Sequence, residues 1–343
     1  MVTDAQRNLA LDLFVRDPRP TTPFEGVDES ELMRLRYYAP EKHRPGLPPI
    51  LLVYPMIKRP YVLDLLPGRS VVQSFLHQGF RVYLTDWMPP SLDDAECGLD
   101  EYVNGELARA VDLVCNREKV PQVALVGCCC AGLLSAIYAA LNPERIQHLV
   151  TFAAPFEIDP PLGPVAARQI VLTYGNVPAW MVASGLNVRM QDPLQIAFRL
   201  AHDLGEPDLA EHVFDSPDAL LQVIQPWLAS DVPFAGGLFR EIVCEALPNA
   251  NLLEGRLRVG GRRVDMGSIR CPVLVIAGAR DSLVPAERSV RFAHVVGSRD
   301  ATKWIFPTGH LGLMLSKAAH RELWPRVGEW LESRSGPPLR QTA

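Results

Sequence analysis

The sequence predicts an α/β fold, a mostly parallel sheet flanked by helices with a helical segment inserted into it, on three observations. Short apolar runs bounded by turn signals recur through the first half of the chain. Between the last two of these lies a helical pattern, which makes one strand–turn–helix–strand unit. The alternation then stops for about a hundred residues before it resumes, a gap too long for a structureless loop inside a compact domain.

The elements follow in order. Ile50 to Tyr54, Phe80 to Leu84, Val123 to Val126 and His148 to Phe152 read as buried parallel strands, because a strand covered on both faces is apolar throughout instead of alternating. Leu133, Leu134, Ile137, Tyr138 and Leu141 repeat at helical spacing, and Asn142-Pro143 ends that helix. Strand–helix alternation stops after Thr151 to Pro155 and returns at Pro272 to Ala277. Within the gap, Leu194 to Leu204 and Ala219 to Trp227 read as helical patches. Gly260-Gly261, flanked by Arg258-Val259 and Arg262-Arg263-Val264, reads as a small hairpin. Thr302 to Phe306 and Glu322 to Glu332 read as the last strand and a closing helix. The expected organisation is a catalytic core of residues 1–158 and 258–343 with a cap at 159–257.

Composition narrows the function classes. A chain of 343 residues exceeds what one compact core usually holds, which suits a large domain carrying an insertion. Its 48% hydrophobic and 21% charged content is that of a globular enzyme and not of a disordered chain. A net charge of −5 supplies no electrostatic reason for a nucleic-acid partner. The first twenty residues lack the basic start and apolar run of a secretory signal, and no window approaches the roughly 18 apolar residues of a membrane span. Seven cysteines, at 97, 115, 128, 129, 130, 244 and 271, show no disulfide framework, so a reducing cytoplasm is expected. Three adjacent cysteines cannot provide the paired loops that fold around a tetrahedral metal, and no metal is expected.

Val123-Ala-Leu-Val-Gly-Cys-Cys-Cys-Ala-Gly132 passes directly from strand to helix, where the nucleophile elbow of α/β-hydrolases sits, with a thiol in place of the hydroxyl. Residues two before and two after the nucleophile must be small at so sharp a turn. Gly127 and Ala131 satisfy this for Cys129; Cys130 is the second choice. Free cysteines are also common buried hydrophobes, but the strand-end location favours chemistry. The following helix brings its positive end to the sulfur, which is expected to favour thiolate. In the chain order this fold imposes, Asp281 follows the strand Pro272 to Ala277, and His310 follows the strand ending at Phe306. His320 is the distant alternative base. The oxyanion donors are expected to be the backbone N–H groups of Cys130 and of Ile57, in the loop Tyr54-Pro-Met-Ile-Lys-Arg-Pro60.

Several stretches together resemble a known family: Ile57 to Leu65, Val82 to Trp87, Leu99 to Gly105, the cysteine elbow, Tyr138 to Glu144, Phe214 to Asp218, Val259 to Asp265, Asp281 to Pro285 and Gly309 to Gly312. They are similar to the short two-subunit poly(3-hydroxyalkanoate) synthases, over residues 35 to 332. The resemblance implies an α/β-hydrolase fold, Cys129 as the acyl-bearing thiol, His310 as base, Asp281 as its partner, and a cap over the site. It implies a CoA thioester as substrate, no cofactor, and a cytoplasmic enzyme at or near a polymer granule surface. A companion synthase subunit and a homodimer are left open. Ala131, Lys58, Ser282, Thr308 and His212 depart from the family pattern, and Lys58 and His212 are the expected substrate-binding positions. Arg256, Arg258, Arg262 and Arg263 read more readily as a solvated hairpin than as contacts to CoA phosphates. A single-turn acyltransferase or thioesterase, taking its acyl group from CoA or a carrier protein, is the alternative reading. A non-catalytic relative is disfavoured by the intact acid, base and thiol.

Overall fold

Eight strands form one sheet in the computed structural model, which describes residues 21–157, 203–205, 224, 226–227, 230 and 232–335. They are β1 (Glu25–Glu29), β2 (Met33–Tyr38), β3 (Ile50–Val53), β4 (Val82–Trp87), β5 (Val123–Cys128), β6 (Ile146–Phe152), β7 (Val273–Gly278) and β8 (Ala301–Phe306). Their spatial order is β1-β2-β4-β3-β5-β6-β7-β8. Strands β3 to β8 run parallel to one another, while β1 pairs antiparallel with β2 and β2 antiparallel with β4.

Alternating side chains feed two cores. Leu51, Val53 and Leu125 face one side with Val111, Val114, Leu133 and Ile137 of helices α2 (Ala108–Glu118) and α3 (Cys129–Leu141). Ile50, Leu52, Ala124 and Val126 face the other with Phe75 of α1 (Val71–His77) and Val327 and Leu331 of α5 (Trp324–Ser333), α4 being the short helix Gly312–Leu315. Burial on both faces is why these strands read as unbroken apolar runs.

Two expectations shift. Phe80 to Leu84 gives way to Val82–Trp87, because the N–H groups of Gly79 and Phe80 still close the end of α1 on the carbonyls of Leu76 and Phe75. The edge strands β1 and β2 were not foreseen: Glu25–Glu29 is polar and largely exposed, so no apolar run marks it.

Strands β6 and β7 are sheet neighbours, so the whole stretch between them is an insertion at that point. The segment expected as a cap, 159–257, and both helical patches assigned within it lie largely outside the described residues. The hairpin is present: Arg262 pairs with Val259 and Arg263 with Arg258, turning through Gly260 and Gly261, both at positive φ. Its arginines hold backbone, with Arg263 donating to the Gly255 carbonyl at 2.7 Å, Arg258 to that of Gly261 at 2.8 Å and Arg262 to that of Leu141.

A charge cluster anchors the loop after β3. Asp86 of β4, fully buried, pairs with Arg36 of β2 and with Arg59 at 3.0 Å, and Arg59 also donates to the Trp87 carbonyl at 3.2 Å. Removing the carboxylate leaves two buried guanidinium groups without their shared counter-charge. Asp86→Ala is therefore expected to lower unfolding free energy by about 3–5 kcal/mol, read as a fall in urea midpoint. An unchanged midpoint would show that solvent reaches both arginines.

Candidate active site

Parallel register brings the carboxyl ends of β5, β7 and β8 to one edge of the sheet, and the three expected functional residues leave from those ends. Cys129 begins α3 directly after β5. Its φ of +48° is the left-handed region that a side chain occupies only when the surroundings enforce it. Neither Cys128, with φ of −100°, nor Cys130 lies there.

Packing makes the same distinction. Cys128 is buried in the core beside α1 and α5, its Sγ 3.8 Å from Met314 Sδ, and Cys130 is buried in the opposite core with α2 and α3. Cys129 stands between the two, partly exposed. The tight turn rests on Gly127, where a Cβ would come within 2.6 Å of the Gly132 Cα. Close approach is thus required two residues before and three residues after Cys129. Ala131, two residues after, is buried in the core and its methyl group is accommodated.

His310 and Asp281 meet at the same edge. The His310 Nδ1–H donates to Asp281 Oδ2 at 2.8 Å, and the Cys129 thiol is near enough to the ring to raise its value. Asp281 is held on its second oxygen, where Oδ1 accepts the N–H groups of Leu283 at 2.9 Å and Val284 at 2.8 Å. Its side chain is 0% exposed and that of His310 is 12% exposed. His320, the alternative base, instead bonds the Met314 carbonyl at 2.6 Å and Ser74 at 3.4 Å, on a separate face.

The electrostatics correct one expectation. The Cys129 thiol is pushed well above the ordinary thiol range, first by the neighbouring Cys130 side chain and then by burial, while His310 pulls the other way. A thiol raised in this way needs a base to become a nucleophile. Burial is the largest single influence on His310 and lowers its value. The charge and hydrogen bond of Asp281, together with Cys129, overcome it and leave the imidazole well above 6.5.

Around this constellation, the Ile57 carbonyl accepts the Val232 N–H at 2.9 Å, and Lys58 places its ammonium 5.8 Å from the Trp227 ring centroid. Cys130 supplies the backbone N–H that follows the thiol in sequence. His212 lies outside the described residues. Two neighbours were not foreseen. Tyr54 directly follows β3 and is buried near Trp227 and the three thiols, and burial raises its hydroxyl well above the tyrosine range. Its position just past a strand next to β5 was a usable signal. Asp203, from the insertion, hydrogen-bonds the loop that carries His310, and no local pattern marks it. Among the described residues no group of three or more His, Cys, Asp or Glu side chains is placed to hold a metal, and no helix is long and apolar enough to cross a membrane.

Known proteins resemble this chain to different depths. A family model described as alpha/beta hydrolase fold matches residues 62–181, which include the elbow. The chain is 31% identical over 333 residues to the poly(3-hydroxyalkanoate) polymerase subunit PhaC of Thiocystis violacea, covering 92% of this chain and 89% of that protein. It is 32% identical over 316 residues to the same-named subunit of Allochromatium vinosum, covering 89% and 87%. The Haloferax mediterranei subunit is 33% identical over 327 residues, and the match takes in 92% of this chain but 64% of the longer relative. Among solved structures, the monoacylglycerol lipase of Paleococcus ferrophilus superposes with a TM-score of 0.58 at 17% identity, covering 89% of this chain and 100% of that one. A thioesterase domain from the curacin biosynthetic pathway gives 0.52 at 13% identity, covering 90% and 98%. At these identities the structures share the fold.

Proposed function

The chain belongs to the poly(3-hydroxyalkanoate) polymerase subunit PhaC family, and on that premise we propose that it joins 3-hydroxyacyl units from CoA thioesters through a covalent intermediate on Cys129. The observation that carries the reading is the left-handed Cys129, beside an imidazole whose Nδ1 is held by a buried carboxylate. His310 takes the thiol proton, the sulfur attacks the thioester carbonyl, and CoA leaves as its thiol. One thioester is exchanged for another, so the acyl group stays activated. In the second step His310 takes the proton of an incoming hydroxyl, whose oxygen attacks the enzyme-bound carbonyl, forming an ester and releasing Cys129. Asp281 orients the ring and stabilises its charged form.

Backbone N–H groups of Cys130 and Ile57 are the proposed oxyanion donors. Lys58 and His212 are proposed to line the substrate path, and the segment 159–257 to cap the site and exclude water. The reaction uses no cofactor in this scheme. A companion subunit, a homodimer, and a cytoplasmic location at a granule surface belong to the same proposal.

Incubation with 3-hydroxybutyryl-CoA tests it. The expected result is CoA release accompanied by polymer and by an acyl adduct on Cys129. Free hydroxy acid as the only product would reject polymerisation in favour of a thioesterase, and acyl transfer without chain growth would reject it in favour of a single-turn acyltransferase.

A further inference from the structure

The loop carrying His310 is held by one residue from outside the sheet domain's own elements. Asp203 lies in the insertion between β6 and β7, more than a hundred residues earlier in the sequence. Its carbonyl accepts the Thr308 hydroxyl at 2.7 Å and the Gly309 N–H at 2.7 Å. Its carboxylate accepts the Gly312 N–H at 2.6 Å. Three donors from the five consecutive residues 308–312 thus converge on a single side chain and its backbone, with His310 in their midst. Gly309 permits the approach, because a Cβ there would collide with the Asp203 carboxylate. The Gly309-His310-Leu311-Gly312 stretch is otherwise unexplained by the chemistry, which uses the histidine alone.

We propose that Asp203 is a positioning residue for His310, holding the loop that carries the catalytic base. The inference rests on the thiol–imidazole–carboxylate reading given above. The carboxylate reaches no reacting atom; it holds the backbone after the ring at Gly312, while the Asp203 carbonyl holds Thr308 and Gly309 before it, so that Nδ1 stays on Asp281.

Single-turnover acylation of the full chain by 3-hydroxybutyryl-CoA, followed by intact mass, tests this together with alkylation of Cys129 by iodoacetamide. Asp203→Ala is expected to slow acylation roughly 30- to 100-fold, the cost of misplacing a base by about 1 Å, with the half-saturating CoA-thioester concentration within twofold. Asp203→Asn retains one acceptor oxygen and is expected to recover much of the loss, which guards against a variant that merely folds poorly. In a His310→Ala background, Asp203→Ala is expected to change the alkylation rate by less than twofold, since a residue that acts through His310 has nothing left to position. An undiminished effect in that background, or wild-type acylation by Asp203→Ala, overturns the proposal. Acylation that survives in Cys129→Ala instead overturns the underlying reading, so the two failures are told apart.

Discussion

Cys129→Ala is expected to leave no covalent acyl adduct after exposure to 3-hydroxybutyryl-CoA, and to lower turnover by a factor on the order of 10⁵–10⁶, as when the nucleophile of a covalent mechanism is removed. Cys130→Ala is expected to retain the adduct. The difference has a geometric origin: Cys130 is buried in the core beside α2 and α3, whereas Cys129 is at positive φ, partly exposed and close to His310. A second consequence separates the two thiols. The Cys130 side chain is the largest influence raising the Cys129 value, so its removal is expected to lower that value and speed alkylation of Cys129 by iodoacetamide at neutral pH. Intact-mass spectrometry reads both outcomes. An adduct that persists in Cys129→Ala and vanishes in Cys130→Ala would move the nucleophile by one residue.

Asp281→Asn carries the other large expected effect, a loss of roughly 10³–10⁴-fold in the acylation rate, because an amide in that place no longer holds the imidazole in the tautomer that accepts a proton from sulfur. Its pH dependence follows from the balance on His310. The base works in its neutral form. With the imidazole raised above 6.5, the acylation rate of the wild type rises with pH on a limb whose midpoint lies above 6.5. Substitution of Asp281 removes both its charge and its hydrogen bond, which raise the value, and leaves burial, which lowers it. The limb is therefore expected to move to lower pH as the rate falls. Rate–pH profiles of the two proteins would decide; a midpoint unmoved by the substitution would mean that Asp281 does not face the titrating group.

Much of this site was legible because the fold constrains chain order. A strand followed at once by small residues and a helix marks an elbow, and the aspartate and histidine must then leave from two later strands. The apolar runs that identify those strands reflect burial on both faces, a property visible one residue at a time. Edge strand β1 escaped that signal because it is polar and largely exposed, and β2 because Arg34 and Arg36 interrupt its buried apolar residues.

What the sequence by itself determined was the sheet, the family likeness and the residues bearing sulfur, imidazole and carboxylate, since local patterning and chain order depend on side-chain type alone. Only the tertiary structure decided which thiol faces the imidazole, because backbone dihedral and core packing choose among three chemically identical neighbours. It also decided the upward shift of that thiol and the grip of Asp203 on the histidine loop, for desolvation and contacts between distant segments arise only when the chain has closed on itself.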